Sequence, residues 1–316
     1  MSHSKKVVAL GGGHGLAATL RALRGITSDI TAVVTVADNG GSSGRLRAEF
    51  SILPPGDLRM ALAALCSDDE WGRSWADVMQ YRFTSEGPLN GHAVGNLLLA
   101  ALWDRDSDII ASLDQVADLL KVEGRVLPMA MKPMDIVATL SHNGEVRVVS
   151  GQVEVATTAG QLIDVQLLPQ ETGIVHQDVL SAIAEAEWIT MGPGSWITSV
   201  LPHLLLPELR DALIASPAKK IAVMNLDTHS DGSHFELSGH SILDHLDLLQ
   251  RFAPGLHFDM VIIDSHAEKT PELITYLTER KTALFEADLR DEMVKIHHDS
   301  EKLASAFTHM ERESLV

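Results

Sequence analysis

The chain has 316 residues, 45% of them hydrophobic and 22% charged, with a formal net charge of −18. Such a length buries an ample core, and such a composition is that of a folded globular protein rather than a disordered one. The acidic balance speaks against a nucleic-acid backbone as partner, whereas a compact cluster of arginines, bare N–H groups and helix N-termini still suits a small anion.

The first element is a strand, Val7 to Leu10, a short apolar run that passes straight into Gly11-Gly12-Gly13-His14-Gly15. These glycines lack the spacing of a Walker loop or a dinucleotide fingerprint. They do offer backbone N–H groups without screening side chains at the start of a helix, which suits phosphate. Leu16, Leu20 and Leu23 recur at helical spacing, and Gly25 is placed to stop that helix.

A second strand, Ile30 to Val36, leads into "ADNGGSSGRLR". Strand, helix and strand make a βαβ unit, which sets both glycine loops at the carboxyl ends of neighbouring strands, where open α/β sheets take their ligands. Asp38, Asn39, Gly41, Ser42, Ser43 and Arg45 are the candidates there, with Arg47 beyond them. Arginine holds phosphate through paired hydrogen bonds. Asp38 suits Mg²⁺, a substrate hydroxyl or a base, and equally an Asx turn.

From Leu58 to Leu120 the pattern is mainly helical. "LPPGDLR" adds Asp57, placed to cap its own helix or to touch a ligand, and Arg59, free to neutralise phosphate or to pair with Asp57 or Asp38. The single cysteine, Cys66, excludes an intrachain disulfide and multi-cysteine zinc sites, fits a cytoplasmic location and reads as a buried thiol. In "NGHAVGN", His92 and Asn96 are candidate ligand contacts, His92 also a candidate general acid or a structural histidine. Alternating β-branched residues in "DIVATLSHNGEVRVVSGQVEV" and "QLIDVQLLP" predict a β insertion at about 134–169, with a hairpin at Asn143-Gly144.

The parallel pattern returns in "AEWITMGPGSWITSV", "KKIAVMNLDTHSDG", "FDMVIIDSH" and "KTALFEADL". Gly192, Gly194 and Ser195, followed by Thr198 and Ser199, form a second candidate anion loop, and Ser195 lacks the Gly-x-Ser-x-Gly elbow of a hydrolase. His229, His234, His240 and His245 show no recognised zinc spacing. No apolar run is long enough to span a membrane. The whole predicts one Rossmann-like, doubly wound α/β domain over 1–316, with a mainly parallel sheet and a small β insertion.

Taken together and in order, "VVALGGGHGL", "ITAVVTVADNGGSSGRLR", "LPPGDLR", "YRF", "GHAVGNLLLAAL", "GRVLP", "GPGSWITSVLPHLL" and "HHDSEKLASAF" resemble the YvcK-type gluconeogenesis factors of the CofD-like superfamily, over nearly the whole chain. The resemblance implies a Rossmann-like core, binding of a UDP-sugar such as UDP-N-acetylglucosamine, a role linking carbon use to cell-wall shape, and a homodimer. Enzymes of the CofD type in the same superfamily are 2-phospho-L-lactate transferases, which move a phospholactyl group from a guanosine-activated donor to a deazaflavin alcohol. His14 stands where threonine is common in this family, and Asn39 where many relatives have a second aspartate. After Asn225 the chain reads "LDTHSDGSHFELSGHS", so that of the family's motif there only Asn225 and Thr228 carry over.

Two expectations follow. In the first, Gly12, Gly13 and Gly15 with Gly194 and Ser195 cradle the diphosphate of a nucleotide-sugar, Arg45 neutralises it and Asn225 meets the base or sugar. In the second, Mg²⁺ at Asp38 polarises a phosphoryl oxygen and the chain is a transferase of the CofD type. A third class, a partner-binding scaffold that uses its acidic surface, has no residue in the sequence to mark it.

Overall fold

A computed structural model describes residues 4–142, 144–226, 241–294 and 296–313. Strand β1 (Val7–Gly11), helix α1 (Gly13–Arg24) and strand β2 (Ile30–Val34) form the opening βαβ unit. Four helices follow, namely α2 (Gly41–Phe50), α3 (Pro55–Ala64), α4 (Glu70–Gln80) and α5 (Val94–Arg105), then α6 (Ile109–Leu120) and strand β3 (Arg125–Pro128). Strands β4 (Asp135–His142) and β5 (Glu145–Ser150), helix α7 (Gln152–Thr157) and strand β6 (Gln161–Leu168) make the insertion. The remainder is α8 (Gln177–Glu185), β7 (Trp188–Met191), α9 (Pro202–Leu205), α10 (Pro207–Ala215), β8 (Lys219–Val223), α11 (Ile242–Phe252), β9 (Met260–Asp264), α12 (Pro271–Glu279), β10 (Ala283–Ala287) and α13 (Ser300–Glu313).

Seven strands form one sheet in the order β10-β9-β8-β7-β1-β2-β3, and every neighbouring pair is parallel. Its central strands are apolar throughout because helices cover both faces, as the buried Leu10, Val33, Ile189 and Ile262 show. The chain winds from β1 toward β2 and β3 on one side and from β7 toward β10 on the other, so the order reverses between β1 and β7. That reversal opens a crevice at the carboxyl ends of the strands. Leu10 pairs with Met191 in the register, which sets Gly11 level with Gly192 and brings the two glycine loops side by side.

The second sheet is antiparallel, in the order β5-β4-β6. Arg47 fastens it to α2, donating to Met134 O at 3.1 Å and to Asp135 Oδ1 at 2.7 Å. "GQVEV", expected as strand, is instead helix α7, because Gly151 at φ 105° turns the chain out of β5 and only Val155 is then buried. β3 extends the sheet through "RVLP", a run too short to register as a strand by its pattern. Gly25 ends α1 in a right-handed conformation, φ −68°, rather than the left-handed one usual for a terminating glycine. An added Cβ there would lie 3.7 Å from that of Ala304 on α13, an ordinary packing distance. No helix among the described residues is long and apolar enough to cross a membrane.

The loops meet at Gly15. A Cβ there would stand 2.1 Å from Pro193 O and 2.9 Å from Gly194 N, distances that no rotamer relieves because both atoms belong to the backbone. Gly15→Ala is therefore expected to lower stability by about 1–3 kcal/mol in urea denaturation, through overpacking. Gly13→Ala meets no neighbouring atom but must adopt φ 60°, at a cost of about 1–2 kcal/mol.

Candidate functional site

The first glycine loop is held by an acid from another element. Asp57 lies in the first turn of α3, whose N-cap is Pro54, and it caps α1 rather than its own helix by accepting the N–H of Gly13. A carboxylate at that N-terminus complements the helix dipole. Gly12 permits the approach: a Cβ there would sit 2.5 Å from both Asp57 Oδ2 and Thr35 Cγ2. Thr35 is 1% exposed, and its hydroxyl has no hydrogen-bond partner among the described residues.

Asp38 faces the same space from the end of β2. Its carboxylate accepts from Gly40 N at 2.8 Å and from the Ser43 hydroxyl. Burial nonetheless pushes its pKa up, against those bonds and against Arg47 and Arg82. Asp57 is pushed further, to about 7, by burial first and by the neighbouring Asp38 second. Two buried carboxyl groups that repel each other form a pair of hard oxygen donors, of the kind that fits Mg²⁺.

The polar residues around this acid pair are joined in one buried chain. His92 Nδ1 lies 2.9 Å from Ser42 Oγ, which accepts from Asn96 Nδ2 at 3.0 Å. Asn96 Oδ1 in turn accepts from Arg59 Nε at 2.8 Å, and Arg59 also donates to Gln80. Burial lowers the pKa of His92, which suits a neutral imidazole taking the Ser42 proton. Arg59 is 2% exposed and its pKa is lowered to about 10 by burial, with Arg82 beside it. Arg59 and Asn96 thus stand behind the site and fix α3 to α5.

Asn39 braces the Asp38 loop against the insertion. It donates to Glu154 at 3.1 Å and accepts from Val153 N at 3.2 Å, both on α7. Gly41 follows at φ 48° with open space before it. Arg45 is exposed and turned to a neighbouring loop, donating to Pro88 O at 3.0 Å and Asn90 O at 2.7 Å.

On the other side of the crevice, Gly192 at φ 76° and Gly194 at φ 136° shape the second loop. Asn225 clamps it, accepting from Gly194 N and donating to Gly194 O, each at 2.9 Å. Ser195 caps the turn that follows, its hydroxyl accepting from Thr198 N at 3.0 Å. That turn is one turn of π-helix, Trp196–Val200, with Val200 N bonded to Ser195 O. Such turns often occur beside ligand sites. Thr228, His229, His234 and His240 lie outside the described residues.

His297 and Arg82, which spacing does not single out, join the predicted ligand-binding residue His14 at the site. The rings of His14 and His297 stack with centroids 5.5 Å apart. Burial lowers the pKa of His14, assisted by His297, Arg59, Arg21 and Arg82. Arg82, the exposed arginine of "YRF", is held by one bond to Gly91 O at 2.9 Å and acts electrostatically on His14, Asp38, Arg59 and His92. Its guanidinium charge is felt by four groups of the site.

A second cluster, Asp264, His266 and Asp288, brings three possible metal-ligand atoms within 4.8 Å. Its acids are already matched: Asp264 accepts from Arg290 Nε at 2.9 Å and Leu289 N at 3.0 Å, and Asp288 binds Lys302 at 2.7 Å. This cluster is a lock between β9, β10 and α13.

The Asp57 pKa has a signed consequence. At about 7 it lies above the ordinary ~3.9 of an unfolded aspartate, so the folded chain holds this proton more tightly. The stabilisation is full below about pH 4 and is lost as pH rises to about 7. Relative to Asp57→Asn, the wild type is expected to lose stability across that window in urea melts, and an equal offset at all pH values would refute the assignment.

Comparison with known proteins agrees with this architecture. The family described as 2-phospho-L-lactate transferase CofD matches residues 7–305. The Bacillus subtilis protein named gluconeogenesis factor is 35% identical, with 99% of this chain and 100% of that protein covered. A Mycobacterium tuberculosis protein provisionally given the same name is 48% identical over 269 residues, 84% of this chain and 77% of its own. The crystal structure of a UPF0052 family protein from Bacillus halodurans superposes with a TM-score of 0.83 at 31% identity, covering 98% of this chain and 100% of that one. The chain therefore belongs to the CofD family, among the relatives named gluconeogenesis factor.

Proposed function

We propose that this chain is a cytoplasmic binding protein for a nucleotide-sugar of the UDP-N-acetylglucosamine kind, acting as a gluconeogenesis factor that links carbon use to cell-wall morphogenesis. The observation that carries the reading is the convergence, at the β1/β7 reversal, of two glycine loops with Arg82 and the His14–His297 pair. Gly13 and Gly41 leave room for close backbone approach, and Arg82 supplies a guanidinium for the diphosphate. Mg²⁺, held by Asp38 and Asp57, would bridge the remaining phosphate charge.

The second reading is a transferase of the CofD type, and the Asp38–Asp57 pair is what favours it. In that reading Asp38 and Asp57 would hold the metal, which would supply charge stabilisation for a guanosine-activated donor, while this chain's Arg82 orients the phosphates.

Calorimetric titration with UDP-N-acetylglucosamine, UDP-glucose, GDP and GTP, each with and without Mg²⁺, separates the two. A UDP-sugar preference supports the first reading, and absence of saturable binding to any of them sinks it. Loss of a charge-assisted contact costs about 1.5–3 kcal/mol, so Arg82→Ala is expected to weaken binding roughly tenfold to a hundredfold. Arg45→Ala, which cuts two contacts to the Pro88–Asn90 loop and one electrostatic influence on His92, is expected to change it less. Turnover of guanosine-activated phospholactate with a deazaflavin acceptor, abolished in Asp38→Asn, would establish the transferase instead.

A further inference from the structure

The four edge strands of the two sheets are not alike. β3 is four residues long and ends in Pro128, and on β10 the ring of Phe285 packs against His309 of α13. The β6 edge is capped by Arg251, which donates to Ile163 O. β5 has none of these devices among the described residues: it contains no proline, glycine or bulge, and pairs only with β4. Val146 and Val148 on it are 65% and 69% exposed. A strand of this kind is a template for another strand.

Charge on an edge normally repels a second copy, but the charges of β5 have opposite signs two residues apart. Glu145 and Arg147 are well exposed, and within one chain they touch each other at 3.0 Å. When a strand pairs antiparallel with itself about a two-fold axis, residue i meets residue j and j meets i. With Val146 on the axis, each Glu145 falls opposite the partner's Arg147, giving two symmetric ion pairs and a Val146 contact across the axis. Moving the axis to Arg147 sets that arginine against itself. Moving it to Val148 sets Glu145 opposite Gly151 and Arg147 opposite Val149, and both pairs are lost. Like charges directly opposite are unfavourable and unlike ones favourable, so charge selects the first register.

We propose that β5 is a homodimer interface, in which two copies of this chain join their small sheets into one six-stranded sheet centred on Val146. The occupant is a second copy because the edge complements itself: its acid and its base are each other's partners in the symmetric register. The interface lies one short helix from the Asp38 loop, since β5 continues through Gly151 into α7, which holds Asn39. The proposal is independent of the ligand reading.

Analytical ultracentrifugation of the full chain over a micromolar concentration series tests it, with Glu145→Arg, Arg147→Glu, an equimolar mixture of the two, and the double variant. The wild type is expected to dimerise in a concentration-dependent way, and each single reversal to weaken association by about tenfold or more. The mixture is expected to recover as a heterodimer and the double variant as a homodimer, since both restore opposite charges. All these positions are exposed, and circular dichroism checks that each variant is folded. A wild type that stays monomeric, a dimer indifferent to the single reversals, or a mixture that does not recover would overturn the assignment.

Discussion

Everything at the carboxyl edge of the large sheet depends on how closely two backbone segments approach there. Gly15 rests against Pro193 and Gly194, Gly12 against Asp57 and Thr35, and neither position has room for a methyl group. These contacts bring the N-terminus of α1 and the turn after β7 into one crevice. A side chain at Gly15 would push the two loops apart, and one at Gly12 would displace Asp57 and Thr35. Asn225 then locks the arrangement from β8, because its amide matches both polar groups of Gly194 in the way a neighbouring strand would.

Such close packing leaves the site with a charge problem that its residues divide between them. Asp57 satisfies Gly13 but is half-buried beside Asp38, so at neutral pH the pair resists carrying two full negative charges. Arg59 does not relieve this freely, since its guanidinium is tied to Asn96 and Gln80. Arg82 stands at the open side with the His14–His297 stack, in which burial and the neighbouring arginines hold His14 toward its neutral form. The acids at the floor of the crevice and the exposed Arg82 guanidinium at its rim are the features on which the proposed ligand reading rests.

Much of this was legible in the sequence, for reasons that also explain what was not. β1, β2 and β7 to β10 are short apolar runs closed by glycine or polar residues, and burial on both faces makes such runs obligatory in a parallel sheet. The insertion declared itself through alternation, although Gly151 diverted its β-branched tail into α7. β3 did not, since four residues ending in proline carry almost no periodic signal. The glycine loops and Asp38 were visible as local clusters. The role of Asp57 toward α1, the chain from His92 to Gln80 and the stack of His14 on His297 join residues distant in sequence, and only the fold brings them together. Arg82 was the least visible, a single exposed arginine whose importance comes from which four groups surround it.

Asn39 shows how the insertion and the site constrain each other. A carboxylate at this position would add a third acid to the Asp38–Asp57 pair, raising the repulsion that already lifts Asp57. It would also face Glu154 with like charge and could not donate to it. The amide does both jobs that α7 requires, giving a hydrogen bond to Glu154 and receiving one from Val153 N. The loop therefore gives up one potential metal donor and gains a brace at the base of Asp38. With Asn39 anchored on one side and Ser43 on the other, the Asp38 carboxylate is held in place by its neighbours before any ligand arrives. The small sheet is thereby a structural support of the crevice as well as a cover beside it, and a change in its packing reaches Asp38 through two hydrogen bonds.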